Sequence, residues 1–190
     1  MTNALNFDIK PAGEISKIFL DHKISTFHEA ANFVRNLPYR RNKNKFDLTS
    51  VFTDNCGTCS TKHALLKKLA DENSQAELQL ITGLFRMNSI NTPKISAILD
   101  HSKLDYIPEA HNYLKWQNQI LDFTTKSSKP FDFENDLIEE IEIQPEQIVD
   151  FKVAYHREYL TQWLIKQKLN LTLDQLWSIR EHCIASLSTA

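Results

Sequence analysis

The spacing at which apolar residues recur changes twice along this chain, and that order restricts the fold more than any other feature of the sequence. The opening third has helical periodicity: "GEISKIFLDHK" and then "TFHEAANFVRNLPY", where Thr26 and Glu29 stand at capping-box spacing and Pro38 ends the run. Residues 40 to 54 read as a loop. From Thr58 to about Asp71 good helix formers return, with Ala64, Leu65, Leu66, Leu69 and Ala70 as a wide apolar stripe and Lys62, Lys67 and Lys68 outside it. The period then drops to two. "AELQLITGLFRMN" alternates like a strand, a loop follows through Pro93 to Pro108, and "HNYLKW" and "QILDFTT" form two more strands around a Gln117-Asn118 turn. Helical periodicity resumes in "PEQIVDFKVAYHREYLTQWLIKQ" and "TLDQLWSIREHCIASL", the latter opening on Thr172 and Gln175 at capping-box spacing. Helices, an antiparallel sheet, then helices describe an α+β chain.

At 190 residues the chain fits a single domain over 1–190, with 145–190 as a C-terminal helical extension. Lysine and arginine total 22 against 24 acidic residues, so no electrostatic footprint for nucleic acid or an anionic membrane is present, and "YRRNKNK" at 39 to 45 reads as a solvated loop. The start, "MTNALNFDIKPAGEISKIF", has no basic region followed by an apolar one, and no segment approaches the roughly 18 apolar residues of a span. A cytoplasmic protein without a membrane partner is the expectation. Three cysteines make no disulfide framework, and Cys183, in "REHCIASL", reads as a core thiol. Only three glycines occur, so each is expected to meet a backbone need, Gly57 included.

The stretch "NCGTCSTKHALLKKLADE" concentrates the chemistry. It offers three readings. As a zinc site, Cys56, Cys59 and His63 supply three ligands where a closed structural site takes four from two separated pairs, so no metal and no cofactor is expected. As a thiol-disulfide motif, Cys56 and Cys59 would need a βαβ pattern around them, and "FDLTSVFTD" is a poor buried parallel strand. As a nucleophile, Cys59 at a helix start demands a base within reach and a group to orient it.

The hairpin meets that demand. With Gln117 and Asn118 as central turn residues, Trp116 faces Gln119, Tyr113 faces Asp122 and His111 faces Thr124, so His111, Tyr113, Asp122 and Thr124 share one side. His111 and Asp122 are then diagonal neighbours, with Cβ atoms roughly 7 Å apart. Leu114, Trp116, Leu121 and Phe123 take the opposite, core face. His63, four residues after Cys59, reads as a packed histidine, and Cys56 as a structural thiol or a resolving partner for an oxidised Cys59.

These residues carry a family resemblance. "GTCSTKHALL" followed by "HNYLKWQNQILDFT" is similar to the transglutaminase-like superfamily of papain-like cysteine enzymes, over about residues 50–126. The resemblance implies a cysteine-bearing helix packed on an antiparallel sheet, flanked here by the N- and C-terminal helices. It implies Cys59 as nucleophile, His111 as base and Asp122 as orienting acid. Tyr113 takes the place of the aromatic that the family has shortly after its histidine; the Cys59 backbone N–H and the Asn55 side chain are the candidate oxyanion donors. The function implied is acyl transfer or amide hydrolysis through a thioester on Cys59, on a peptide or a small acyl or amide substrate, with residues 87 to 110 as one wall of the cleft. Two alternatives stand beside it: a non-catalytic interaction module on the same fold, and a thiol-disulfide oxidoreductase using Cys56 and Cys59.

Overall fold

A computed structural model describes residues 5 to 187, so the very start of the leader reading and the last three residues of the C-terminal extension lie outside the described residues. The fold is α+β, with a four-strand antiparallel sheet and helices. In chain order the elements are α1 (Glu14–Asp21), α2 (Phe27–Asn36), α3 (Ser50–Thr53), α4 (Cys59–Glu72), β1 (Gln79–Asn88), α5 (Ser96–Ser102), β2 (Tyr106–Trp116), β3 (Gln119–Leu121), β4 (Leu137–Ile143), α6 (Asp150–Gln167) and α7 (Leu173–Leu187). The strand order is β3-β2-β1-β4. No described helix is long and apolar enough to cross a membrane.

The chain forms two compact units, the first from Met1–Thr82, Asn112–Pro130 and Ile141–Ile148, the second from Gly83–His111, Phe131–Glu140 and Val149–Ala190. In the first, α4 is the central element and packs against α1, α2 and α3. Its Ala64, Leu65, Leu66, Leu69 and Ala70 are fully buried, as the apolar stripe requires. Both capping boxes on this side form: Thr26 with Glu29 on α2, and Thr58 with Thr61 on α4. The far end of α4 reaches back, where the Glu72 carboxylate accepts from the Ile15 and Ser16 backbone N–H groups and so caps the start of α1. Gly13 is needed there because a Cβ would overlap the Glu72 carboxyl group.

The second unit is built on a buried ion pair. Arg180 on α7 donates from Nε to Glu109 Oε2 at 2.7 Å and from Nη2 to Glu109 Oε1, a bidentate fork onto β2. Burial pushes the Glu109 carboxyl up, but the Arg180 charge and hydrogen bonds outweigh it and hold the group below its ordinary value. His156 on α6 donates from Nε2 to the Pro108 carbonyl at 2.8 Å, and Trp163 Nε1 donates to Tyr106 Oη at 3.0 Å. Trp163 is core as expected, while Trp177 is half-buried with Arg157 and Arg180 over its ring. Cys183 is fully buried, as expected. The Thr172–Gln175 cap forms reciprocally at the start of α7.

Several expectations are corrected. Lys62 and Lys67 are not outside the apolar stripe: they are 0% and 5% exposed, because α4 is covered on nearly every side. Residues 40 to 54 include the short α3. The stretch from Pro93 to Pro108 is no loop but a 3-10 turn at Pro93–Ile95, then α5, then the first residues of β2. Proline within β2 hid the strand from the sequence, since proline ordinarily argues against one. β3 is shorter than "QILDFTT" and stops at Leu121. There the Asp122 Oδ1 accepts from the Thr124 backbone N–H at 2.8 Å and from Thr124 Oγ1 at 2.5 Å, diverting the backbone from the ladder. β4 was not anticipated, although "LIEEIEI" carries the glutamates typical of an edge strand.

Candidate functional site

Cys59 is the first helical residue of α4 and is 8% exposed. The capping box fixes its backbone: Thr58 N donates to Thr61 Oγ1 at 3.0 Å, and Thr61 Oγ1 donates to Asn42 Oδ1 at 2.8 Å. A thiol at this position lies at the positive end of the helix dipole, which favours its anion. The next residue ties the helix start to the sheet. Ser60 Oγ donates to Asn112 Oδ1 at 2.8 Å, and the Asn112 amide donates to the Ile81 carbonyl at 3.0 Å and to Thr82 Oγ1 at 2.8 Å. Asn112 is fully buried, and every one of these partners belongs to the first unit.

The hairpin keeps the register read from the sequence only as far as Leu121: Trp116 pairs with Gln119, Lys115 with Ile120 and Leu114 with Leu121, and the ladder ends before the expected Tyr113–Asp122 and His111–Thr124 pairs. Gln117 and Asn118 both take positive φ, 48° and 62°, the conformation of a type I′ turn. Asp122 follows the last pair directly. Its carboxylate is 4% exposed and lies 3.5 Å from His63 Nε2.

His63 is fully buried, as a packed histidine should be, and its ring joins two backbone segments. The Phe123 N–H donates to Nε2 at 2.8 Å, so Nε2 carries no proton, and Nδ1–H donates to the Cys59 carbonyl at 2.8 Å. In this neutral tautomer the approach of Asp122 to Nε2 is a proximity, not an ion pair. Both ring nitrogens are committed to backbone, which leaves neither to serve as a zinc ligand beside Cys56 and Cys59. Among the described residues no cluster of three or more His, Cys, Asp or Glu side chains could hold a metal ion.

Cys56 lies before α4 and is 1% exposed. Its carbonyl accepts from Asn42 Nδ2 at 2.9 Å, and the Arg40 guanidinium hydrogen-bonds its sulfur, an interaction that raises the arginine above its ordinary value. Between the two cysteines, Gly57 bridges to Tyr39, and a Cβ on it would come within 2.9 Å of Lys62 Cγ. The glycine therefore answers a close approach. Lys62 passes beneath it and donates from Nζ to the Leu37 and Thr124 carbonyls, each at 2.6 Å. Burial pushes this amine down to about 8, against the opposing pull of Cys56, Cys59 and Asp122.

Of the other residues singled out in the sequence, Asn55 sits exposed at the end of α3 with φ 50°, in the left-handed region asparagine tolerates. Tyr113 on β2 is fully buried, so the side of the hairpin expected to be open is covered at that residue. His111 belongs to the second unit, half-buried, with the Phe133 ring edge-on at 4.8 Å and Phe85 at 6.3 Å. Sequence reasoning missed Lys62, Ser60, Asn112 and Arg40. Lys62 stands one helical turn from Cys59, but its burial is set by the elements packed around α4 and left no signal in the sequence. The chain matches no family model, no curated protein and no solved structure.

Proposed function

We propose that the protein is a cysteine-dependent acyl transferase or amide hydrolase with a transglutaminase-like core, in which Cys59 is the nucleophile, His111 the base and Asp122 its orienting acid. The observation that carries this reading is the position of Cys59 as the first residue of a capped, buried helix in an antiparallel α+β fold. The thiol-disulfide reading is weaker on the same observation. That device exposes its first cysteine at the helix start within a βαβ unit, whereas here the first cysteine, Cys56, lies outside the helix and is 1% exposed.

The steps follow from the roles. His111 takes the Cys59 proton, and the sulfur forms a bond to the acyl carbon while the carbonyl electron pair moves to oxygen. Backbone N–H groups at the start of α4, the Cys59 N–H among them, face the developing oxyanion. Collapse of the adduct breaks the bond to the leaving amine, which takes the proton from His111 and leaves a thioester. Water or an acceptor amine then attacks the thioester, gives its proton to His111, and the thiolate departs. Asp122 holds the imidazole tautomer and stabilises its charged form. The substrate is a peptide or a small acyl or amide compound, and the route needs no metal or cofactor.

Turnover of an acyl substrate by a series of variants tests the roles. Cys59→Ala and His111→Ala each remove nearly all activity, and Asp122→Asn leaves a residue of it. The double change of Cys59 and His111 is no worse than either single change, because groups acting as a unit are not additive. Full activity in Cys59→Ala, or its loss in Cys56→Ser alone, would overturn the assignment.

A further inference from the structure

We infer that Lys62 is a positioning residue for Cys59, a buried cation that clamps the two chain segments beside the helix start and holds the thiol in its anionic form. The inference rests on Cys59 being the nucleophile, and it adds a residue that the Cys-His-Asp reading does not contain.

The geometry is unusual for a lysine. The side chain is 0% exposed and runs under Gly57, where there is no room for a Cβ. Lysine is almost never fully buried unless it is paired. Here Nζ donates to two carbonyls, Leu37 before the cysteine loop and Thr124 after the Asp122 turn, and so fastens both segments to α4. On a helix, residues three apart are surface neighbours about 5–6 Å apart at Cβ, which places Lys62 beside Cys59. The titratable groups that act on it are Cys56 from the loop before α4, Cys59 from its own helix and Asp122 from beyond β3. Arg40 in turn faces Cys56, and His63 is committed to backbone.

Two opposed effects decide the charge. Burial favours the neutral amine, while two sulfurs and a carboxylate favour the ammonium, and the balance lies at about 8. A buried cation carried three positions along the helix from a thiol favours the thiolate, in the same direction as the helix dipole.

The test reads thiol reactivity, not acyl turnover. The rate of Cys59 alkylation by limiting iodoacetamide, followed by peptide mapping across pH 5 to 10, gives the midpoint of its thiolate. In Lys62→Met that midpoint rises by about one unit or more, and the rate at pH 7 falls about tenfold. Lys62→Arg, which keeps the charge, restores part of the reactivity at pH 7. Linkage supplies a second measurement on the unaltered clamp. The Lys62 side chain, titrated by its carbon NMR shifts, loses its proton at lower pH in Cys59→Ser than in the wild type, because the coupling is reciprocal. If Lys62→Met does not fold, that second titration decides. Unchanged midpoints for Cys59 in Lys62→Met, or for Lys62 in Cys59→Ser, overturn the inference. A chain that takes no acyl group yet keeps the Lys62-dependent midpoint refutes the proposed function and not this one.

Discussion

Two histidines could serve Cys59, and their bonding separates them. His63 spends Nδ1 on the Cys59 carbonyl and Nε2 on the Phe123 N–H, so its removal orphans a backbone donor inside the first unit. His63→Ala is expected to cost about 2–4 kcal/mol, read as a lower urea midpoint, because a lost side chain and an unsatisfied buried N–H add. The His111 variant is expected to lose acylation while keeping most of its stability, since that ring is half-buried. The opposite pattern would make His63 the base. Cys183 gives a second prediction at this scale. Burial pushes its thiol up from 9.0 to about 11, so the folded chain keeps a proton that the unfolded chain gives up. Its contribution is thus intact below about pH 9 and is lost as pH rises to about 11. Cys183→Ala is expected to be less stable than wild type at pH 7 and to show a smaller fall in urea midpoint between pH 8.5 and 10.5.

At the scale of elements, what the sequence disclosed and what it hid have separate physical causes. Local signals held wherever the chemistry is local: the Thr26–Glu29 and Thr172–Gln175 caps, the α4 start at Thr58, and the hairpin register about Gln117-Asn118. Tertiary burial is not local. Nothing in "STKHALLKKLADE" distinguishes a buried lysine from a solvated one, and only the elements packed around α4 place Lys62 and Lys67 inside. Pro108 misled for another reason: proline cannot donate to a strand ladder and so argues against a strand, yet it stands within β2. For the candidate site, the sequence disclosed the helix-start cysteine and the hairpin order, and not the supports through Lys62, Ser60 and Asn112. The hairpin yields a prediction: replacing Gln117-Asn118 by Asn-Gly, which suits the positive φ at both positions, is expected to stabilise the chain by about 0.5–1 kcal/mol. The ion pair between β2 and α7 yields another. Glu109→Gln leaves the buried Arg180 with Glu181 as its remaining carboxylate partner and is expected to cost about 2–3 kcal/mol, whereas an apolar pair at both positions recovers most of it. Chemical denaturation of the three chains checks both statements.

For the molecule as a whole, acid sensitivity follows from the burial of titratable groups. His156 is held below its ordinary value, first by burial and then, against the pull of Glu109, by Arg180 and Lys152. A depressed histidine pKa means that the unfolded chain binds the proton more readily, so stability falls as pH drops below about 6.5. Glu109, also depressed, adds a further loss as pH falls below about 4.5. The urea midpoint between pH 7 and 5 is expected to flatten in His156→Gln; an unchanged slope would contradict the assignment. The central claim is that Cys59 accepts an acyl group with the help of His111, and the most direct measurement is the intact mass of the protein after brief exposure to an activated acyl ester at neutral pH. The account predicts a single acyl adduct in the wild type, mapped to the Cys59 peptide, retained in Cys56→Ser and absent from both Cys59→Ala and His111→Ala. Equal acylation of the wild type and Cys59→Ala, or an adduct that maps to Cys56, would contradict it.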